Sequence, residues 1–218
     1  METATFKTPA GEQIKKALAF CEKGIAGAEM YTFLRLNEPN LPEGRFFCAE
    51  NGAGEIVSAV FMNGDITVTK QTGQPPYPGL RLLRYAGGLP QKNEASSMDL
   101  RDALAMYKTL GEGALSPDNE ARYVYRARAM RDGFAAGFCI RADNDLAAFA
   151  CITAQNGDTA LIGDVFTRPA YRGRGCARRC VSACVWLALE QTKTPYVLCA
   201  DQMTAFYESM GFVNDGQM

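Results

Sequence analysis

Apolar residues recur at helical spacing in 11–23, where Ile14, Ala17, Leu18 and Cys21 fall on one stripe. A second stripe over 27–36 holds Met30, Phe33 and Leu34, and Pro39 and Pro42 end it. The pattern then turns extended. Residues 45–50 read as a strand, Asn51-Gly52-Ala53-Gly54 as a turn, 55–63 as the returning strand and 66–69 as a third after Gly64-Asp65. Gln74-Pro75-Pro76-Tyr77-Pro78-Gly79 reads as a rigid connector before a further strand at 80–86.

The second half follows the same loose plan of helices and then a hairpin. Ser97 or Asp99 caps a helix running to about Leu110, and 118–131 is a basic amphipathic helix with Tyr123, Ala127 and Met130 on one face. Strands follow at 134–141, 146–154 and 160–167, turned by Asn144 and by Asn156-Gly157-Asp158. A long helix over 175–190, a strand at 196–199, a short helix at 202–210 and extended residues 211–213 come next. The best linker stretches, 71–79 and 87–97, divide the chain into residues 1–90 and 91–218.

Composition narrows the chemistry. Against 24 Asp+Glu stand 23 Lys+Arg, a net charge of −1, so nothing pulls the chain toward nucleic acid or an anionic membrane. No apolar run reaches the roughly 18 residues of a membrane span. The first residues, Met1 to Lys7, lack the basic-then-apolar pattern of a secretory signal, so a cytoplasmic location is expected. The chain has no His, which excludes Ser-His-Asp triads, Cys-His dyads and His-ligated zinc or haem. Any general base is a carboxylate, Lys, Tyr, Cys, a terminal amine or water. The eight Cys include no Cys-x-x-Cys pair, and Cys176, Cys180 and Cys184 recur every four residues, as on one helix face. They read as small buried residues in a reducing compartment, with no metal expected.

One stretch stands apart: Gly163-Asp164-Val165-Phe166-Thr167-Arg168-Pro169-Ala170-Tyr171-Arg172-Gly173-Arg174-Gly175-Cys176-Ala177. A strand runs into a Gly- and Arg-rich turn that opens a long helix. Unbonded amides and the positive dipole end of a helix hold phosphate oxygens. Gly173 and Gly175 let the backbone approach and take positive φ, while Arg172 and Arg174 add charge-assisted bonds. The turn is neither a P-loop nor a dinucleotide fingerprint, because Gly-Lys-Ser/Thr is absent and position 178 is Arg.

Arg172-Gly173-Arg174-Gly175-Cys176-Ala177 fits the Arg/Gln-x-x-Gly-x-Gly/Ala signature of the GNAT superfamily of acyl-CoA-dependent N-acyltransferases. Downstream, Ala205-Phe206-Tyr207-Glu208-Ser209-Met210-Gly211-Phe212 resembles that family's closing Ala-x-x-Tyr-x-x-x-Gly-Phe segment. The resemblance covers about residues 98–214. It implies an α/β (α+β) fold, a mixed and mostly antiparallel sheet flanked by helices, with a degenerate GNAT-like N-terminal half that shapes the acceptor pocket. It implies an acyltransferase of the EC 2.3.1 class that moves acetyl from the cosubstrate acetyl-CoA to a primary amine on a small molecule or peptide, as a monomer or homodimer. Pyrophosphate would rest on Arg172, Gly173, Arg174, Gly175, Cys176 and Ala177, and the pantetheine arm would pair with Val165, Phe166 and Thr167. Tyr207 would protonate the departing thiolate, a modest transfer from a pKa of about 10 to one of about 8.5.

Rival readings stand beside these. Met203, Phe206, Tyr207 and Met210 also form a plain core stripe. Asp164, the one carboxylate of its apolar run, is either a buried base with a raised pKa or an Asp bonded to backbone where strands splay. On a regular strand Ile162, Asp164 and Phe166 share one face. Arg178 and Arg179 read as a solvated helix face and Cys176 as a small-residue slot. The chain stops six residues after Phe212, so the sheet is either short or completed by the N-terminal half. The whole reads as a catalyst or, alternatively, as a CoA-binding sensor or scaffold that does not turn over.

Overall fold

The structure, a computed structural model, describes residues 6–63, 66–71, 80–91, 93–110, 117–142 and 145–215. The connector at 74–79 and the turn residues Gly64, Asp65 and Asn144 lie outside them. Helices α1 (Glu12–Cys21) and α2 (Ile25–Asn37) bury the two predicted stripes, including Ile14, Ala17, Cys21, Met30, Phe33 and Leu34. They cover an antiparallel meander of β1 (Phe46–Glu50), β2 (Ile56–Asn63) and β3 (Ile66–Gln71).

The second sheet combines β4 (Arg81–Tyr85), β5 (Ser96–Ser97), β6 (Ala136–Ala142), β7 (Asp145–Gln155), β8 (Thr159–Thr167), β9 (Thr194–Cys199) and β10 (Phe212–Asn214) in the order β10-β4-β9-β8-β7-β6-β5. Among the described residues only β8 and β9 pair in parallel. The fold is therefore the expected mixed, mostly antiparallel α/β arrangement. Between the open alternatives for the sheet's edge, the structure selects the second: β4, which precedes residue 90, lies between β9 and β10. The stretch 87–97 is no pure linker, since its last two residues form β5 on β6.

Helices α3 (Leu100–Leu110) and α4 (Pro117–Arg131) occupy one face of this sheet, and α5 (Cys176–Glu190) the other. Asp99 caps α3: its carboxylate accepts the amides of Arg101 and Asp102 at 2.8 and 2.9 Å, and Asp102 accepts the Asp99 amide in return at 3.0 Å. The core face of α5 carries Cys176, Cys180 and Cys184, and all eight thiols are unpaired and buried. Burial pushes the thiols of Cys151 and Cys180 up to about 12 and that of Cys184 well above its ordinary value.

Both halves run helix, helix, three antiparallel strands. They diverge after that. Nine residues join β3 to β4 where twenty-six join β8 to β9, too few for a counterpart of the 15-residue α5. The halves interlock through the β7–β8 turn. The Asn156 side chain donates to the carbonyls of Cys21 and Gly24, and the Gly24 amide donates to Asp158 at 2.9 Å. The Thr32 hydroxyl exchanges two 3.1 Å bonds with the Gln155 backbone. These bonds satisfy buried polar groups on both sides of the seam.

Candidate functional site

Where β8 leaves β9 the sheet opens. Parallel pairing runs from Thr159–Thr194 to Ile162–Val197 and stops, while β8 continues unaccompanied on that edge to Thr167. Val165, Phe166 and Thr167 therefore lack a strand partner on the β9 side, where the Thr167 carbonyl accepts from Arg172 at 3.2 Å. The Thr167 hydroxyl is itself buried without a hydrogen-bond partner. Pro169 then turns the chain into a 3-10 turn at Pro169–Tyr171.

The following loop carries the two glycines in the conformation expected of them. Gly173 and Gly175 have φ of 73° and 74°, in the left-handed region that side chains avoid, and a Cβ on either would meet only open space. Gly175 is the N-cap of α5 and supplies no side-chain cap. Among the described residues, the amides of Gly173 to Arg178 find no acceptor. Uncapped amides at a helix start are where phosphate oxygens bind.

The five arginines divide their work. Arg168 pairs with Asp145, Arg179 with Glu94, and Arg178 donates to the Ser209 carbonyl and hydroxyl at 2.9 and 2.7 Å. Arg178 is thus no idle surface residue: it ties the first turn of α5 to the end of α6 (Thr204–Glu208). Arg172 bonds only to the Thr167 carbonyl and Arg174 lies over the Tyr171 ring. Among the described residues neither meets a carboxylate, so two uncompensated cations flank the loop. Cys176 is buried beneath it, in the small-residue slot.

Tyr207 is 6% exposed and belongs to the cluster under α5, edge-on to Phe212. Burial, then the nearby Cys199 and Cys184, raise its phenol to about 12. Cys199, which acts on Tyr207, ends β9 two residues past the last β8–β9 pair.

Asp164 departs from expectation. Its φ is 48°, and the β7–β8 register advances by two residues on β7 and three on β8 between Phe149–Phe166 and Cys151–Gly163. This β-bulge breaks the regular alternation. Ile162 packs toward α5 while Phe166 stacks on Phe149 under α3, so the two do not share a face. The Asp164 side chain turns to the α3–α4 side. There it accepts from Arg126 at 3.1 Å and from the Tyr107 hydroxyl at 3.4 Å. These partners are side chains, where the sequence offered a buried base or a bond to backbone.

Arg126 was hidden within a helix that reads as basic and amphipathic. Its side chain is 10% exposed, and it also donates to the carbonyl of Thr153, the bulge residue of β7. Burial disfavours its charge, but Asp164 and Tyr107 hold it ionised. Its position, three after Tyr123 and four before Met130, is the one signal that places it inward. On this same face a cavity of about 520 Å³ opens between α3 and the end of β8, lined by Asp102, Lys108, Arg141, Phe166 and Arg168.

A family model described as the acetyltransferase (GNAT) family matches residues 99–212, more than half of the chain.

The chain belongs to the GNAT acetyltransferase family.

GNAT structures resemble it well beyond the matched segment. A tandem GNAT protein from the clavulanic acid biosynthesis pathway shares 14% identity and a TM-score of 0.57, over 97% of this chain and 95% of that one. A GCN5-related N-acetyltransferase-like protein from Streptococcus suis 89/1591 shares 14% identity and a TM-score of 0.55, over 94% and 95%. At such identities the likeness is one of fold. No curated protein matches the sequence. Members of the GNAT family use acetyl-CoA, and the bare amides, the open β8 edge and the two unmatched arginines fit its pyrophosphate and pantetheine. Among the described residues no three Cys, Asp or Glu converge as a metal site requires, and no helix is long and apolar enough to cross a membrane.

Proposed function

We propose that the protein is an N-acetyltransferase of the EC 2.3.1 class, taking acetyl from acetyl-CoA to a primary amine of a small molecule or peptide. The row of unbonded amides from Gly173 to Arg178, flanked by Arg172 and Arg174, carries this reading. Those groups would hold the pyrophosphate, and Val165 to Thr167 would pair with the pantetheine arm. Acetyl-CoA supplies the activated acyl group. The amine nitrogen attacks the thioester carbonyl directly, and rate comes from positioning and from amides that polarise that carbonyl. Tyr207 keeps its proton at neutral pH and gives it to the thiolate.

We assign Asp164 to holding the bulge, because Arg126 already meets its charge. The acceptor would approach on the α3–α4 face, where Asp164 points and the cavity opens. In this reading residues 1–90 supply a GNAT-like lobe, α1 to β3, and lend β4 to the sheet of residues 91–218. A reducing cytoplasm suits eight unpaired thiols.

Calorimetry with acetyl-CoA tests the reading, with Gly175→Glu as control. Micromolar binding that the variant loses, followed by release of CoA thiol with primary amines, is the expected result. The sensor or scaffold reading draws on the burial of Tyr207 within core. Binding without turnover of any amine would favour it.

A further inference from the structure

The cavity on the α3 side is walled by charges that the acetyl transfer itself leaves unused. Asp102, Ala105 and Lys108 recur every three residues and form the stripe of α3 that lines it. Phe166 and Arg168, two apart where β8 ends, form another wall. Arg141 and Leu146, paired across the β6–β7 hairpin, complete it. Asp102 is committed: it pairs with Arg141 and accepts the Asp99 amide. Asp145 meets Arg168 at 3.2 Å, but its side chain is 69% exposed, so water and a ligand compete easily for that bond. The Nε–H of Arg168 is buried without an acceptor. Lys108 is exposed, and among the described residues it meets no acid. Three cations thus face two acids across the apolar surface of Ala105, Leu146 and Phe166. That combination suits an aliphatic chain ending in an anion and repels one ending in a second ammonium.

We propose that the acceptor is an acidic amine, a primary amine bearing a carboxylate or phosphate several bonds away, and that Lys108, helped by Arg168, selects it by that anion. The inference rests on the acetyltransferase reading and names its substrate class. Phe166 belongs to the stretch along which the pantetheine arm would lie, and Asp164, two residues before it, turns to the same side as the cavity. Two residues of strand span about 7 Å. An anion held at Lys108 and Arg168 therefore lays the rest of the acceptor along β8, with its amine toward the thioester. An α-amino acid, whose two charged groups share one carbon, is too short for this.

The test compares β-alanine, γ-aminobutyrate and ε-aminocaproate with their neutral amides, and with aminoalkyl phosphates of matching length, by kcat/KM at saturating acetyl-CoA. The best acid should exceed its amide about tenfold, as one charge-assisted bond at an exposed site allows. Lys108→Gln should abolish that preference by raising KM for the acid, while the amide's kcat/KM, acetyl-CoA affinity and Tm stay as in wild type. Lys108→Arg should keep the preference, and Lys108→Glu should turn it toward a diamine. Carboxylate favoured over phosphate, or the reverse, supports the site and identifies the anion. Acids acetylated no faster than their amides, or a preference that survives in Lys108→Gln, overturn the assignment alone. A wild type that binds acetyl-CoA yet acetylates none of these amines, nor an alkylamine or a peptide with an unblocked N-terminus, overturns the enzymatic reading and this assignment together.

Discussion

Arg126 reaches Asp164 at 3.1 Å across the gap between α4 and the bulge of β8, and through Thr153 it pins the neighbouring bulge of β7 as well. One guanidinium therefore fixes the backbone on which the thioester would be presented.

Removing that cation should be costly. Arg126→Met leaves Asp164 buried without its counter-charge and the Thr153 carbonyl without a donor, a loss of about 3–5 kcal/mol. Pairing it with Asp164→Asn should return much of this. Denaturant unfolding of the two single variants and the double variant measures the coupling.

Tyr207→Phe should lower kcat by about 10²–10⁴-fold while acetyl-CoA affinity stays the same. The useful form of Tyr207 is the protonated one, and burial keeps it so up to about pH 12. The wild-type rate should then show no alkaline fall from this group below about pH 11. Steady-state kinetics at saturating acetyl-CoA decides the matter, since a purely structural Tyr207 would leave kcat unchanged.

Arg172→Ala and Arg174→Ala should each weaken acetyl-CoA binding about tenfold, near 1.4 kcal/mol, and leave Tm unchanged, because neither side chain holds the fold together. Arg178→Ala should instead lower Tm, since it cuts the two bonds to Ser209. Calorimetry and thermal melts on the three variants separate the roles.

Glu29 carries a stability signature as well. Its folded pKa lies above the ordinary value of about 4.3. The stability linked to it is whole below that value and is lost as pH rises through the folded pKa. Glu29→Gln should therefore melt above wild type at pH 7.5 and level with it near pH 4. Scanning calorimetry at the two pH values checks this.

Much of this was legible in local pattern. The stripe Ile14, Ala17, Cys21 and the Asp99 cap depend on neighbours three and four residues away, and both form as read. The Arg172–Ala177 loop announces itself because its chemistry is carried by consecutive residues. Three features were not legible, each for a long-range reason. The place of β4 is set by partners in β9 and β10 at the far end of the chain. The bulge at Asp164 arises from the pairing of two strands, so alternation read along one strand misplaced Ile162 relative to Phe166. Arg126 and Glu29 look like ordinary surface charges until two halves of the chain pack around them.

The position of β4 also bears on how the chain assembles. Leu83 pairs with Val197, so a strand made early on the ribosome waits for nearly everything after it before it finds a partner. Such high contact order slows folding. A fragment starting at residue 91 would gain the motif and lose the strand that separates β9 from β10, baring two adhesive edges. The segment that carries the family signature is thus not a unit that should be expressed alone.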